Sequence, residues 1–466
     1  MNHAGSERRV GWFPVASCFL VLVLAGFASA DVTSVTVDSS TPFEQVSGYT
    51  YVEATIHGTI ERADGVRGAY AVPLILIYPD DGGNGVGVVD WVNTAVMREL
   101  GFIEDATSIR QLALWSTGTY LFDEGYTYAA VQWDKAVTDV FGEAAPDDDP
   151  DRNHLAHGVI EDMSDAFEIL RDAALFLRDP SSYEGVGGPL PVQTVLSFGY
   201  SQGGIAQMTF LSRGENLRDD ELVYDGHLVG KAGLRCASLD GEPPGYVEPA
   251  PCEPEPVGDG SKVIVIAAQT DVEAAFNAGR SRFPDEPNWR QYELAGVSHL
   301  PAAFFPVLHQ NQNPVSSQPV FRAALHNLVS WTTEGVPAPS SAFLEGTLNS
   351  DGTFDAKLDD DGNALGGLRL PHMQQVVDGE EAGAPRGTYG GVNLDVDPEV
   401  PEAVFVMLGG TFEPFSDDEL RERYQDDETY LSRVTRAADY LLHNRYILEE
   451  DRDAYVRAAR LPGRAR

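Results

Sequence analysis

Apolar runs rich in β-branched residues alternate with segments of helical spacing through the first two thirds of the chain. The runs with the composition of buried strands are residues 83–93, 126–134, 192–198, 262–271 and 289–299. Apolar positions recur at helical spacing near residues 157–177, 205–211 and 320–335. Because strands that alternate with helices pair in parallel, this order predicts an α/β fold with a mostly parallel central sheet flanked by helices.

Both ends of this pattern differ from its middle. Residues 31–75 consist of strand-type stretches separated by turns and predict an N-terminal β extension. Residues 338–466 begin with irregular loops and become helical near Ser416, which forms a capping box with Glu419. Apolar stretches at 403–410 and 440–448 would aggregate if exposed. We therefore expect a main domain over 31–337 and a C-terminal extension, 338–466, packed on it.

The first thirty residues have the pattern of a signal peptide. Arg8 and Arg9 precede an apolar run over 15–27, and Ala28-Ser29-Ala30 follows it. We expect cleavage after Ala30 and a periplasmic or secreted protein; an uncleaved anchor is the alternative. The arginine pair leaves both the general secretory and the twin-arginine route open.

The cysteines agree with export. Cys18 lies within the predicted signal peptide, which leaves Cys236 and Cys252 in the mature chain. A Pro- and Gly-rich segment separates them, and it cannot hold its shape by burying a core. In an oxidising compartment this even pair predicts a disulfide, with two unpaired thiols as the alternative.

The charge of the chain is strongly acidic, with 32 Lys and Arg against 72 Asp and Glu, a net charge of −40. Such a surface repels nucleic acid and anionic membranes. After signal removal no apolar stretch reaches the length of a membrane span, so we expect neither nucleic acid nor membrane as a partner. The acidic stretches LDDDGN and PDDDPD lack the calcium-loop pattern and are expected to be solvated.

The segment Gly199-Tyr200-Ser201-Gln202-Gly203 fits G-x-S-x-G between a predicted strand and a helix-compatible run. A serine on such a tight turn needs glycine on both sides, because side chains there would collide. The turn lifts the hydroxyl clear of the sheet and aims the Gln202 N–H at an oxyanion. A glycine-rich turn with a solvated serine is the alternative.

A serine nucleophile needs a base and an acid, which follow it along the chain in this arrangement. His299 directly follows the last predicted strand, with His309 as the competing base. Asp271 ends the strand before it, with Glu273 as the fallback acid. Asp271 can also cap the helix that follows it.

The second oxyanion donor is expected in the loop after the strand at 83–93, from the backbone N–H of Asn93 or Thr94. Chemistry of this kind needs no cofactor, and we expect neither a cofactor nor a metal.

These residues resemble the α/β-hydrolase superfamily, and more narrowly the bacterial alpha/beta hydrolase domain-containing proteins, which are often exported. The resemblance covers nearly all of the predicted mature chain, including GYSQGG, AAQTDVE, ELAGVSHLP and DGNALGGLRLP. It implies an α/β-hydrolase fold and hydrolase chemistry. Relatives often carry Glu-Thr-Asp where this chain has Gln269-Thr270-Asp271, which leaves Asp271 as the carboxylate of that triplet.

The sequence thus predicts an exported serine hydrolase that cleaves a small-molecule or polymeric carboxylic ester through an acyl-enzyme on Ser201. An amidase, a lactonase or a polyester depolymerase would use the same residues. A non-catalytic binding protein on a hydrolase scaffold is the alternative from another class. We also expect the GGLRLP loop of the extension to approach the mouth of the active site.

Overall fold

The computed structural model describes residues 30–61, 67–92, 116–131, 133, 163–180, 191–218, 220–236, 250–252, 259–276, 278–300, 311–394 and 403–460. The predicted signal peptide, apart from Ala30, lies outside these ranges. Asn93, Thr94 and His309 also lie outside them.

A nine-stranded sheet forms the body of the protein, in the order β1-β2-β3-β5-β4-β6-β7-β8-β9. The strands are β1 Ala30–Pro42, β2 Tyr49–Glu61, β3 Arg67–Pro79, β4 Val86–Trp91, β5 Thr127–Val131, β6 Thr194–Tyr200, β7 Gly226–Gly230, β8 Lys262–Ala268 and β9 Trp289–Leu294. β1, β2, β3 and β5 pair antiparallel, and all pairs from β5 to β9 are parallel. The predicted α/β class and N-terminal β extension are confirmed.

Helices cover both faces of this sheet. They are α1 Tyr120–Asp123, α2 Met163–Arg178, α3 Gln202–Ser212, α4 Gln318–Thr333, α5 Ala403–Leu408, α6 Asp417–Tyr424, α7 Asp427–His443 and α8 Glu449–Ala458. Successive residues of β6 point to opposite faces: Val195 joins a core with α2 and α3, whereas Phe198 joins a core with α4. The parallel part of the sheet is therefore buried on both sides, as its continuous apolar strands indicate.

The outer strand β1 is long and lies at the edge of the sheet. Its register with β2 shifts between Val32 and Ser34 and again between Val37 and Ser39, which marks irregularities of the β-bulge type. Bulges twist an edge strand and discourage further strands from adding to it. The β extension thus ends the sheet without offering a flat edge.

Strand β7 was not predicted from the sequence, because its composition is poor for a strand. Gly226 and Gly230 bound it. A Cβ on Gly226 would lie 3.0 Å from the side chain of Leu328, and one on Gly230 would lie 2.8 Å from the ring of Phe321. The close approach of α4 requires these glycines, and this tertiary demand overrides strand propensity.

The C-terminal extension is helical from Asp417 onward, as predicted, whereas the part before it contains short hairpins in place of irregular loops alone. Between residues 346 and 414 it forms the hairpins Gly346–Leu348 with Phe354–Ala356, Gln375–Val377 with Glu380–Ala382, and Gly387–Gly390 with Thr411–Pro414. The predicted capping box at Ser416 and Glu419 is present at the start of α6. The helical region that follows is divided among α6, α7 and α8.

The extension contacts the sheet through both backbone and side chains. Along the free edge of β9, the N–H of Glu293 donates to Ala342, and the N–H of Leu368 donates to Glu293. The extension also contributes buried side chains to the core on the α4 face: Leu368, Leu370, Met373, Tyr389, Ala438, Leu441 and Ile447. These contacts cover the second edge of the sheet and are the physical basis for the predicted packing of 338–466 on the main domain.

An ion pair links α8 to α4. Arg322 donates from Nε to Asp451 Oδ1 at 3.1 Å, and the Asp451 side chain is 3% exposed. A buried carboxylate needs such a partner, because its desolvation is costly.

Two carboxylates of the acidic loop 359–363 bind arginine side chains of the same chain. Asp359 accepts from Arg369 at 2.5 Å, and Asp361 accepts two hydrogen bonds from Arg423, at 2.5 and 2.6 Å. Arginine therefore occupies the positions that a cation would take. Among the described residues, no grouping of three or more His, Cys, Asp and Glu side chains suits a metal ion.

Cys236 and Cys252 form a disulfide, with their Cα atoms 5.0 Å apart. The two short strands Arg235–Cys236 and Ala250–Pro251 pair beside it. Within the described ranges, every helix is too short or too polar to cross a lipid bilayer.

We predict that Asp451→Ala lowers the free energy of unfolding by about 3 kcal/mol, because Arg322 loses its partner in a mostly buried position. Chemical denaturation followed by circular dichroism measures this change. Asp453→Ala is the matched control: Asp453 lies on the same helix, is 45% exposed and pairs with Arg452. Its loss should stay within about 0.5 kcal/mol. Equal losses in the two variants would contradict the proposed role of the pair.

For the disulfide, we expect the mature protein to show no free thiol when it is denatured without reductant and analysed by mass spectrometry. Replacing both cysteines with serine should lower stability by about 3 kcal/mol, as expected for a closed loop with a sequence separation of 16. Detection of both thiols in the unreduced protein would reject the pairing.

Candidate active site

Ser201 lies on the turn between β6 and α3 in a conformation that non-glycine residues rarely adopt. Its φ is 55° and its ψ is −113°, and its N–H donates to the Gly230 carbonyl at 2.8 Å. A Cβ on Gly199 would lie 2.5 Å from the carbonyl oxygen of Gly203. The glycine at 199 is thus a steric requirement of the turn, as the sequence predicts.

His299 bridges Ser201 and Asp271. Its Nε2 lies 3.1 Å from Ser201 Oγ, and its Nδ1 lies 2.6 Å from Asp271 Oδ1. Asp271 is fully buried and His299 is 2% exposed, whereas Ser201 is partly exposed. The structure therefore brings together all three residues that the sequence singled out, in the order required for proton transfer away from the hydroxyl.

The second oxygen of Asp271 contacts the backbone, and this distinguishes Asp271 from Glu273. Asp271 Oδ2 accepts from the N–H of Ala268 at 2.6 Å, while Thr270 takes the N-cap position of the short helical turn that follows. Glu273 instead accepts from Gln269 at 2.8 Å and from the N–H of Ala356 at 3.1 Å. Glu273 therefore binds the backbone of the C-terminal extension at Ala356. Burial raises the pKa of the Glu273 carboxyl.

One of the expected oxyanion donors can be located. Gln202 is the first residue of α3, so its N–H lacks an acceptor inside the helix and is next to Ser201. The Gln202 side-chain amide is buried and makes no hydrogen bond within the described part of the chain. Asn93 and Thr94, the other expected donors, lie outside the described residues.

A family model described as "Alpha/beta hydrolase domain" matches residues 57–457. The chain belongs to this alpha/beta hydrolase family. The match includes the elements that carry Ser201, Asp271 and His299, and also most of the C-terminal extension. A search of the curated proteins finds no match.

Several solved structures resemble the hydrolase at low sequence identity. Acetyl xylan esterase 1 from Thermoanaerobacterium sp. JW/SL YS485 is 15% identical, with 43% of this chain and 52% of that chain covered and a TM-score of 0.24. A rice cell wall degrading esterase from Xanthomonas oryzae is 13% identical, with 44% and 51% covered and a TM-score of 0.26. A cold-adapted esterase from an Arctic intertidal metagenomic library is 13% identical, with 50% and 76% covered and a TM-score of 0.26. The chain spans about half the length of the first two.

Two neighbouring side chains hold the backbone of His299 in the hydrolase. The Tyr200 hydroxyl donates to the His299 carbonyl at 2.5 Å, and the His299 N–H donates to Thr270 Oγ1 at 2.9 Å. Burial raises the pKa of the Tyr200 phenol, which keeps it a donor. Sequence reasoning missed both roles, although Tyr200 precedes Ser201 and Thr270 precedes Asp271.

A buried lysine binds the backbone of the residue before His299. Lys231 follows β7 and donates from Nζ to the Ser298 carbonyl at 3.0 Å. It is fully buried in a chain that has four lysines. Its rarity and its place after an unrecognised strand are the signals that could have identified it.

The extension of the hydrolase reaches the turns that carry Asp271 and His299. The Thr270 hydroxyl donates to the Gly391 carbonyl, and the N–H of Leu300 donates to Leu408 at 2.9 Å. Asn313 bridges the carbonyls of Gly296 and Gly390, at 2.8 and 3.0 Å. The turns that carry Asp271 and His299 are thus held by hydrogen bonds to the extension as well as by the sheet.

The GGLRLP segment runs along the end of β9. Gly367, with φ of 61°, lies against the Glu293 carbonyl, and Leu368 pairs with Leu294. The Met373 side chain packs where a Cβ on Gly296 would lie, three residues before His299. The loop therefore supports the histidine turn from the edge of the sheet.

The geometry predicts different outcomes for the two candidate acids. Asp271→Asn should lower kcat by about 10³-fold or more, because the amide cannot hold the required imidazole tautomer. Glu273→Gln, the matched control, can keep one of the two hydrogen bonds that Glu273 accepts. Neither bond reaches the imidazole, so this variant should change kcat by less than about threefold. Steady-state kinetics on any hydrolysed ester measures both, and the reverse ranking would refute Asp271 as the acid.

Proposed function

We propose that the hydrolase is an exported serine hydrolase that cleaves a carboxylic ester through an acyl-enzyme on Ser201. The observation that carries this proposal is the continuous line of hydrogen-bond distances from Ser201 Oγ through His299 to Asp271, at 3.1 and 2.6 Å. Ser201 is partly exposed and held on a strained turn, so its oxygen is available to a substrate while its base stays buried.

In the first step, Ser201 Oγ forms a bond to the ester carbonyl carbon while its proton passes to His299 Nε2. Asp271 Oδ1 accepts from His299 Nδ1 and stabilises the imidazolium that forms. The carbonyl oxygen becomes an oxyanion, and the Gln202 N–H at the start of α3 is the donor proposed for it. The tetrahedral intermediate then breaks its bond to the alcohol, which takes the proton from His299.

The second step reverses these roles on water. His299 Nε2 removes a proton from water, whose oxygen attacks the acyl carbon. The second tetrahedral intermediate collapses, and the proton on His299 returns to Ser201 Oγ. A carboxylic acid leaves, and the enzyme is restored without an external electron donor, acceptor or cofactor.

Ester substrates are also consistent with the names of the structural relatives, among them an acetyl xylan esterase and a rice cell wall degrading esterase. Export is proposed from the predicted signal peptide and agrees with the disulfide between Cys236 and Cys252. Amide, lactone and polyester substrates use the same sequence of steps and are separated from simple esters by the assay below.

We predict that a fluorophosphonate probe labels the purified protein on Ser201, because only an activated serine attacks the phosphorus centre at neutral pH. Ser201→Ala should abolish labelling and lower hydrolysis by at least about 10³-fold across a panel of esters that vary in acyl and alcohol size, together with amides, lactones and a polyester. Peptide mass spectrometry locates the label.

Ser40→Ala is the control for this experiment, because Ser40 is exposed on β1 at the far edge of the sheet. It should leave labelling and hydrolysis unchanged. A folded protein that hydrolyses no ester, amide or lactone of the panel and takes up no probe would overturn the proposal in favour of a binding protein. Persistent hydrolysis by Ser201→Ala would overturn the assignment of the nucleophile.

A further inference from the structure

We propose that Lys231 is a positioning residue for His299: its buried ammonium fixes the Ser298–His299 turn and places a positive charge beside the Asp271–His299 pair. This inference rests on the proposed function, in which neutral His299 accepts the proton of Ser201. The ammonium of Lys231 donates to the Ser298 carbonyl, and we assign it no direct part in the bond-making steps.

The position of Lys231 is fixed by the sheet. It directly follows β7, which lies between β6 and β8, the strands that lead to Ser201 and Asp271. Its N–H donates to the Ile266 carbonyl at 2.6 Å, and its φ is 55°, a value that non-glycine residues adopt only under constraint. The backbone therefore turns Lys231 out of the strand direction at the point where nucleophile and acid converge.

The Lys231 side chain then reaches the histidine turn. Nζ donates to the Ser298 carbonyl at 3.0 Å, one residue before His299. The two backbone groups of His299 are held by Tyr200 and Thr270. Three successive backbone groups of this turn, the Ser298 carbonyl and the N–H and carbonyl of His299, are thus each bound by a side chain. These side chains belong to residues that precede Ser201, precede Asp271 or follow the strand between them.

The charge of Lys231 gives it a second effect. Burial lowers the pKa of its ammonium to about 8, and the attraction of the Asp271 carboxylate partly opposes this decrease. The titratable groups around it are Asp271 after β8, His299 after β9 and the Tyr200 phenol at the end of β6, whose raised pKa keeps it neutral. With this pKa, Lys231 carries a positive charge in most molecules at pH values below about 8.

A positive charge beside the Asp271–His299 pair disfavours a second positive charge on the imidazole. Removal of the ammonium should therefore move the acidic limb of the pH–rate profile to higher pH.

The test is the pH dependence of fluorophosphonate labelling, which needs no knowledge of the natural substrate. Lys231→Met retains the apolar stem without the charge. We expect its limiting labelling rate to fall by about tenfold, the order expected when one charge-assisted hydrogen bond is lost. Probe affinity should change little. We also expect the acidic limb to shift upward by about half a pH unit or more.

Lys262→Met is the matched control, because it removes another lysine from the same sheet and changes the net charge equally. Lys262 lies at the opposite end of β8, with its ammonium 5.7 Å from the ring centre of Trp331. Its pH profile should match the parent profile. Lys231→Gln serves if Lys231→Met does not fold, since it also lacks the charge and must shift the limb in the same direction.

A stability measurement reports on the lysine directly. Between about pH 8 and its ordinary value of 10.5, the folded parent has released the Lys231 proton while the unfolded chain retains it. The unfolded state then binds more protons, so the stability of the parent rises with pH across this window relative to Lys231→Met. The Tm of the parent minus the Tm of Lys231→Met should therefore increase as the pH rises from about 8 to 10.5.

An unshifted acidic limb in folded Lys231→Met or Lys231→Gln would overturn the inference, as would an equal shift in Lys262→Met. A labelling rate within about twofold of the parent would exclude the positioning effect. If the parent takes up no probe at all, the proposed function fails and this inference fails with it. If the parent is labelled normally and the Lys231 variants have the same labelling rate and pH profile as the parent, this inference fails while the proposed function stands.

Discussion

The hydrogen bonds that hold the backbone of His299 are the constraint on which the rest of the site depends. His299 lies on an irregular turn after β9, where no neighbouring strand can satisfy its buried N–H and carbonyl groups. Thr270 and Tyr200 satisfy them, and each directly precedes a partner of the imidazole. A displacement of the histidine turn therefore displaces the nucleophile and the acid with it, so the three groups behave as one unit.

This constraint explains the close contact between the C-terminal extension and the sheet. The Thr270 hydroxyl that accepts from His299 also donates to Gly391, and Asn313 joins Gly296 to Gly390. In a parallel sheet the turns at the carboxyl ends of the strands have few partners of their own. The extension supplies these partners and, along β9, also covers the exposed edge of the sheet.

The parts of the site that could be predicted from the sequence are those with a local or topological cause. The glycines around Ser201 follow from steric crowding within one turn, and Asp271 and His299 follow because parallel strands end at the same edge of the sheet. Tyr200, Thr270 and Lys231 could not be found in this way, since they bind backbone atoms of remote turns. Only the rarity of lysine in this chain distinguishes Lys231 in the sequence.

The same distinction applies to the fold. Long apolar strands and amphipathic helices were recognisable from their periodicity, whereas β7 owes its glycines to the packing of α4. The hairpins of the extension, with strands of only three or four residues, are too short for a period to appear. Their position depends on contacts with the rest of the molecule, which a single stretch of sequence does not contain.

The two kinds of cation in the structure have different physical roles. Arg322, Arg369 and Arg423 pair directly with carboxylates and join separate segments of the chain. Guanidinium groups keep their charge at every physiological pH, so these links are permanent. Lys231 instead binds a neutral carbonyl, and its burial brings its pKa to about 8. These arginines thus join segments of the chain through carboxylates, whereas Lys231 brings its charge to a backbone carbonyl next to His299.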